Sequence, residues 1–397
     1  MRIASVEVIP YALPFRTPYV TARGRLDRRE MALLRLRSDD GLIGLGEAVP
    51  LSLRGGVALV QVVEELEALG RRDSLDEATL RSDAIALSPP ARCAGLTALL
   101  DLRGRMTSSE TAGAPTPSQP VECNATLVAG EPAAVATDAL AWAEEGFTSF
   151  KLKLGIGEDV GQVRAVREAV GPQARIRVDA NAAWDVDTAM RTLAELEPLD
   201  VELAEQPVAS LEEAAEIASA TSIPIAGDES VETRADAERA RDMKACALAG
   251  IKLSKVGGPE AAIEIAEVLP SYVSSALDGP VGIAAGAQVA QTLDAGIEGR
   301  GPWLTASPPS GSSPPRSPRS SASYATACFT HRRVPASGLR STRPPWKHIA
   351  CSAWRLSCPI ATGKSPIGFP AWIRLTPTPH LHPPSSRSWR GAGCARP

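Results

Sequence analysis

Residues 149–154 read Ser149-Phe150-Lys151-Leu152-Lys153-Leu154, a short apolar run whose two lysines fall on one face of an extended strand. Lys153 begins a series: Asp179, Glu205, Asp228, Lys252 and Ser275 follow at separations of 26, 26, 23, 24 and 23 residues. Each of these residues closes or follows a short apolar run, and each run gives way to a helix-like stretch. A stride of about 25 residues is one strand, one helix and two short connections. The polar residues therefore fall at the C-terminal ends of successive parallel strands, where a β/α barrel carries its chemistry.

Outward from this stretch, strand-like runs are predicted at 121–128, 149–154, 175–179, 201–205, 223–227, 248–253 and 271–275. Helical periodicity falls between them at 131–145, 158–169, 186–196, 211–219, 233–243 and 259–268. This alternation predicts a parallel sheet, and site residues spread over many strands favour a closed ring over an open sheet, where they would cluster at one switch point. Upstream, 2–14 and 30–38 alternate as strands, and 57–70 and 91–105 read as helices. Gly41, Gly44 and Gly46 read as a tight return before Glu47, and 108–120 as a linker. Residues 1–120 thus form a small α+β unit.

Beyond a helix-like stretch at 284–294 the pattern stops. Residues 301–397 hold 17 Pro, 16 Ser and no acidic residue, together with all four His and five of the seven Trp. Prolines at that density interrupt most elements. A disordered basic tail, a nucleic-acid-binding arm and out-of-frame translation of a GC-rich region all compete as explanations. The composition favours the last, because Arg332-Arg333 is the only adjacent basic pair and scattered Trp and Cys suit a disordered tail poorly. The expectation for 299–397 is an irregular segment that supplies no site residue. The barrel would then lack its eighth strand, and the edges of its first and seventh strands would be unpaired.

Charge divides the same way. Residues 1–300 carry a formal −17, with 29 Lys and Arg against 46 Asp and Glu, while 301–397 carry +13. An acidic body argues against nucleic acid or an anionic membrane as partner. With no signal-type apolar segment and no run of membrane-spanning length, the chain reads as cytoplasmic. Cys93, Cys123 and Cys246 are widely spaced in apolar contexts and read as small buried hydrophobes.

The chemistry follows from residue type. Asp179, Glu205 and Asp228 offer three hard oxygen donors from consecutive strand ends, which suits Mg²⁺, and no His or Cys accompanies them to favour zinc. Lys153 and Lys252 come from the second and sixth strands, which lie opposite each other in an eight-membered ring. A small-molecule carboxylate held between them would present its α-carbon to a lysine on either face. A lysine base needs a depressed pKa, and burial with Lys151 as a neighbouring charge is expected to supply one. Lys255 competes with Lys252, but only Lys252 closes the apolar run at 247–251.

These motifs are Lys-Leu-Lys at 151–153, Asp-Ala-Asn at 179–181, Glu-Gln-Pro at 205–207, Asp-Glu-Ser at 228–230 and Ile-Lys-Leu-Ser-Lys-Val-Gly-Gly at 251–258. As a set they resemble the enolase superfamily, in its muconate-lactonizing-enzyme-like branch, over about residues 1–295. The resemblance implies an N-terminal α+β capping domain (1–120) and a (β/α)7β-type TIM barrel (121–298), here incomplete at its eighth strand. It also implies Asp179, Glu205 and Asp228 as Mg²⁺ ligands, Lys153 and Lys252 as catalytic lysines and Lys151 as support. A Lys or His base working with Mg²⁺ is the general pattern of that superfamily. The run Val273-Ser274-Ser275-Ala276-Leu277-Asp278 looks most like o-succinylbenzoate synthases of actinobacterial type, dehydratases of menaquinone biosynthesis, and would place Ser275 and Asp278 near substrate. An N-acylamino acid racemase or dipeptide epimerase with the same site is the alternative, and an inactive frame-shifted product the third. The oligomeric state is open.

Overall fold

A computed structural model describes residues 1–21, 24–51, 55–71, 75–110, 121–296 and 328–330. The chain starts with an antiparallel sheet of β1 (Ile3–Thr21), β2 (Gly24–Ser38) and β3 (Ile43–Ala48), in that order. Helices α1 (Leu59–Leu69), α2 (Glu77–Ile85) and α3 (Pro89–Glu110) follow. Leu34, Leu36, Val62, Leu66, Leu80, Ala94, Ala98 and Leu102 form the core between sheet and helices.

Two elements here differ from the sequence expectation. The stretch read as a tight return is strand β3. Its glycines are present because α3 lies directly on it: a Cβ on Gly44 would stand 2.2 Å from the Ala98 carbonyl oxygen, and one on Gly46 1.9 Å from that of Ala94. Helix α2 was not expected; Asp76 caps it by accepting from the Thr79 backbone N–H at 2.9 Å.

The second part is a ring. The parallel strands are β4 (Glu122–Leu127), β5 (Ser149–Lys153), β6 (Arg175–Asp179), β7 (Val201–Glu205), β8 (Ile225–Gly227), β9 (Leu248–Lys252) and β10 (Ser271–Ser274). Between them run α4 (Pro132–Glu144), α5 (Asp159–Val170), α6 (Val186–Leu196), α7 (Leu211–Ala218), α8 (Arg234–Asp242), the short α9 (Leu253–Val256) and α10 (Pro259–Ala266), with α11 (Pro280–Gly296) after β10. Buried Val, Ile, Leu and Ala from strands and helices form one continuous core, including Phe150, Ile176, Leu193, Ile217 and Ile251. Capping boxes at Ser210/Glu213 and Thr233/Asp236 start α7 and α8 sharply, which fixes the length of the loops at the strand ends.

Closure departs from expectation. No eighth parallel strand occurs among the described residues, yet the edges of β4 and β10 are not left unpaired. Strand β11 (Cys328–Thr330), from the Pro- and Ser-rich segment, lies antiparallel between them, with Phe329 opposite Val273 on one side and Cys123 on the other. Ladder pairing uses backbone N–H and C=O groups, so a segment of unpromising composition can satisfy an open edge. Of the linker expected at 108–120, residues 108–110 belong to α3, and 111–120, like the rest of 299–397, lie outside the described residues. None of the described helices is long and apolar enough to cross a membrane.

Candidate active site

Register brings the site together. Lys153 on β5 pairs with Asp179 on β6, and Asp179 pairs with Glu205 on β7, so three site residues stand side by side at one level of the ring. Lys252 closes β9, whose partner beyond is Ser274 on β10. In the ring order β5 and β9 are diametrically opposed, and the two lysines therefore enter from opposite walls.

Each carboxylate is engaged by lysine. Lys153 Nζ donates to Asp179 Oδ2 at 2.5 Å and to Asn181 Oδ1 at 2.8 Å. Lys151 Nζ lies 2.8 Å from Asp179 Oδ2 and from both carboxylate oxygens of Glu205. Lys252 Nζ donates to Asp228 Oδ2. Lys255 Nζ donates to Asp228 Oδ1 at 3.0 Å, to the Val231 carbonyl at 3.0 Å and to the carbonyl of Asp228 itself. All seven charged side chains, and Asn181 with them, are buried. Burial alone would raise the Asp179 carboxyl, but Lys151, Lys153 and Lys252 hold it far below the usual carboxylate range.

The expectation of a depressed Lys153 is corrected here. Burial, the largest effect, and Lys151 push it down, but Asp179, Tyr19 and Glu205 together outweigh them, and the ammonium is held above its ordinary value. Lys252 ends its strand against the Asp228 carboxylate, whereas Lys255 sits in α9 and ties Asp228 and the loop after it to the barrel wall.

The residues between the acids explain their motifs. Asn181, at φ 49°, donates its backbone N–H to Asp179 Oδ1 at 3.0 Å while its side chain accepts from Lys153. Gln206, at φ 40°, accepts through Oε1 from the Asp228 and Ser230 backbone N–H groups at 2.8 and 3.1 Å. It thereby spaces the end of β7 from the end of β8. Tyr272 was not anticipated: its hydroxyl donates to Glu205 Oε2 at 2.5 Å. Tyr19, near the tip of the β1–β2 hairpin, is close enough to act electrostatically on Lys153, and its ring stacks on Phe15.

Ser275 and Asp278 close on each other. Ser275 Oγ donates to Asp278 Oδ2 at 2.6 Å and accepts from the Asp278 N–H at 2.9 Å, forming a turn after β10. Next to it Glu47 of β3 accepts from Tyr11 Oη and from the Gly279 N–H, both at 2.6 Å. Burial and the Asp278 charge push the Glu47 carboxyl up to about 7. Burial likewise pushes the Cys93 and Cys246 thiols up to about 12, in line with a packing role.

The donor set suits Mg²⁺: three hard carboxylates from three neighbouring strands, with no nitrogen or sulfur among them. Among the described residues no such acidic groups stand together as a ready cation cage. Lysines contact the oxygens of all three carboxylates, Lys151 and Lys153 at Asp179, Lys151 at Glu205, and Lys252 and Lys255 at Asp228, and a cation held there would have to displace some of these contacts.

Comparison with known proteins agrees with this arrangement. Residues 134–300 match the family described as Enolase C-terminal domain-like. The chain is 44% identical over 158 residues to the o-succinylbenzoate synthase of Thermobifida fusca (strain YX), a match covering 38% of this chain and half of that protein's length. It is 30% identical over 313 residues to the D-Ala-D/L-Ala epimerase of Cytophaga hutchinsonii, covering 73% of this chain and 84% of the epimerase. Among solved structures, the substrate-liganded L-Ala-D/L-Glu epimerase from Bacillus subtilis superposes with a TM-score of 0.66 at 26% identity, covering 73% of this chain and 87% of that one. The Cytophaga hutchinsonii dipeptide epimerase complexed with Mg and D-Ala-L-Val gives 0.66 at 28% identity, covering 73% and 84%. With its sheet-and-helix N-terminal part, its ring of parallel strands and its lysine-flanked carboxylates, the chain belongs to the enolase superfamily, in the branch of the muconate cycloisomerases and their relatives.

Proposed function

We propose that the chain is an Mg²⁺-dependent lyase of the o-succinylbenzoate synthase type, with Asp179, Glu205 and Asp228 as metal ligands and Lys153 and Lys252 as the catalytic pair. The observation that carries this reading is the placement of two buried lysines on opposite walls of the ring, each paired with a carboxylate of the central set. Four ammonium groups against three carboxylates leave the cluster net positive, which suits an anionic substrate.

When bound, Mg²⁺ supplies positive charge to the substrate carboxylate. The protein does the rest. Engaging Asp179 with a cation would weaken the strongest contact that holds the Lys153 ammonium, and burial, the largest effect on this lysine, with Lys151 pulls it towards its neutral form. Lys153 Nζ then takes the α-proton, and the electron pair of that C–H bond moves into an enediolate. Lys252 Nζ stabilises the developing negative oxygen. Collapse of the enediolate expels the hydroxyl on the neighbouring carbon. The proton held by Lys153 is the one that the hydroxyl needs to leave as water, so atoms and charge balance and the cyclohexadiene ring becomes aromatic.

Choice of the synthase rests on the higher identity to that relative and on the Ser275–Asp278 turn, with Ser275 and Asp278 proposed to border the substrate. The second reading, racemisation of an N-acylamino acid or epimerisation of a dipeptide, is favoured by the longer coverage of the epimerases. There the opposite lysine would return a proton to the other face. Incubation with the hydroxylated cyclohexadiene carboxylate, N-succinylamino acids and dipeptides in deuterium oxide separates the two. Loss of water to an aromatic product supports the synthase. Deuterium incorporation with inversion and no loss of water supports the epimerase. No exchange on any of them supports the third reading, an inactive frame-shifted chain, which rereading the coding DNA after codon 298 in the other frames would test independently.

A further inference from the structure

Tyr272 sits inside the ring, one pleat repeat nearer the N-terminal end of the strands than Lys252. In register it faces Gly250, two residues before that lysine. Its side chain is 4% exposed and packs against Leu203, Ala226 and Leu248, apolar residues of β7, β8 and β9. The phenol reaches across from β10 to β7 and gives its proton to Glu205 Oε2 at 2.5 Å. Gly250 makes this crossing possible: a Cβ there would stand 2.9 Å from the phenol oxygen and 3.2 Å from the ring carbon that bears it. Glycine in mid-strand weakens a strand unless something needs the space, and here the ring does. The Arg177 guanidinium lies over the ring, 5.5 Å from its centroid, and Arg177 Nε donates to Glu202 at 2.5 Å.

A ring crossing the barrel between apolar residues cannot turn freely, and a phenol O–H has one proton to give. Its hydrogen bond therefore fixes the plane of the Glu205 carboxylate, while Lys151 holds both oxygens of the same group. Local packing does not need the hydroxyl, because Phe fills the same volume. We infer that Tyr272 is a positioning residue that orients Glu205 for cation binding, and that Gly250 is the position that admits it. The inference rests on the proposed role of Glu205 as a ligand.

Isothermal titration of Mg²⁺ into the full chain, with metal-free melting temperatures measured alongside, tests it. Tyr272→Phe is expected to weaken Mg²⁺ binding 10- to 100-fold, the usual effect of losing an outer partner of a metal ligand, with the metal-free melting temperature within a few degrees of wild type. Gly250→Ala, which leaves Tyr272 in place but crowds it, is expected to weaken binding in the same direction. The double variant is expected to fall no further than Tyr272→Phe alone. Wild-type affinity in Tyr272→Phe would overturn the inference and leave the reading of the site intact. So would a loss of affinity matched by a collapse of the metal-free melting temperature, which would make the phenol a brace of the barrel only. No Mg²⁺ binding by the wild-type chain would remove both.

Discussion

Buried acids occur in two places in this molecule, and they meet opposite electrostatic fates. At the mouth of the ring Asp179, Glu205 and Asp228 are at most 1% exposed, and every one of them touches an ammonium group. Where the N-terminal sheet meets the loop after β10, Glu47 is 2% exposed and faces Asp278, Tyr11 Oη and backbone N–H groups, with the Cys93 thiol nearby. Burial pushes the Asp179 and Glu47 carboxyls toward the neutral form. Lysines reverse that push for Asp179, whereas the second carboxylate reinforces it for Glu47. Partners, not depth, separate these two acids, and only the lysine-bound one is suited to holding a cation.

The sharpest way to break this contrast is to remove the lysines. Lys153→Ala, which removes the proton-transfer group, and Lys252→Ala, which removes the oxyanion-stabilising one, are each expected to reduce turnover about 10²- to 10⁴-fold, while Mg²⁺ binding measured by calorimetry is largely kept. If Lys255→Ala, and not Lys252→Ala, proved inactivating with the fold intact, the assignment on β9 would be wrong.

A second test removes a charge from the cation-suited set. Asp228→Asn leaves Lys252 and Lys255 buried without their carboxylate, and breaking a buried pair in this way costs about 3–5 kcal/mol. The metal-free protein should melt markedly lower, and added Mg²⁺ should no longer raise its melting temperature.

The junction offers a smaller effect with a definite sign. The Glu47 carboxyl titrates near 7 in the folded chain against an ordinary 4.5, so the folded state binds the proton more tightly than the unfolded one. Below pH 4.5 this group costs nothing. Its penalty grows through the window from 4.5 to 7 and is complete above it, at about 3 kcal/mol. Glu47→Gln should therefore flatten the fall in stability across that window and leave the protein more stable than wild type at pH 8, as denaturant titrations at both pH values would show. An unchanged pH profile would mean that burial and Asp278 do not raise Glu47 as described.

Gly46→Ala gives a purely steric contrast. The added Cβ meets the α3 backbone, which cannot move as a side chain can, and a loss of about 1–3 kcal/mol is expected in denaturant unfolding. Full retention of stability would mean that α3 does not lie directly on β3.

The two regions were not equally legible in the sequence. Seven parallel strands and the order of the site residues could be read because a 23- to 26-residue stride places one polar group after each apolar run. The three carboxylates and both lysines were found on that basis, and the structure brings them to one mouth. What escaped depends on contacts across the ring or between its two parts. Strand β3 was hidden because its glycines, which signal a turn locally, answer to a helix about 50 residues away. Tyr272 carries no motif, and only the register of β9 and β10 with the gap at Gly250 reveals its reach. Lys153 was expected to be depressed because a sequence cannot show which carboxylate its ammonium meets. Closure by β11 was equally hidden, since edge pairing needs only backbone.

Proton exchange is the most direct test of the central claim that a lysine pair acts on a carbon beside a metal-held carboxylate. Proton NMR of a candidate carboxylate substrate in deuterium oxide, with Mg²⁺ and the full chain, should show loss of the α-proton signal. That loss should disappear in both Lys153→Ala and Lys252→Ala and be abolished by chelating the metal. Exchange that persists in both variants, or that ignores chelation, would contradict the account.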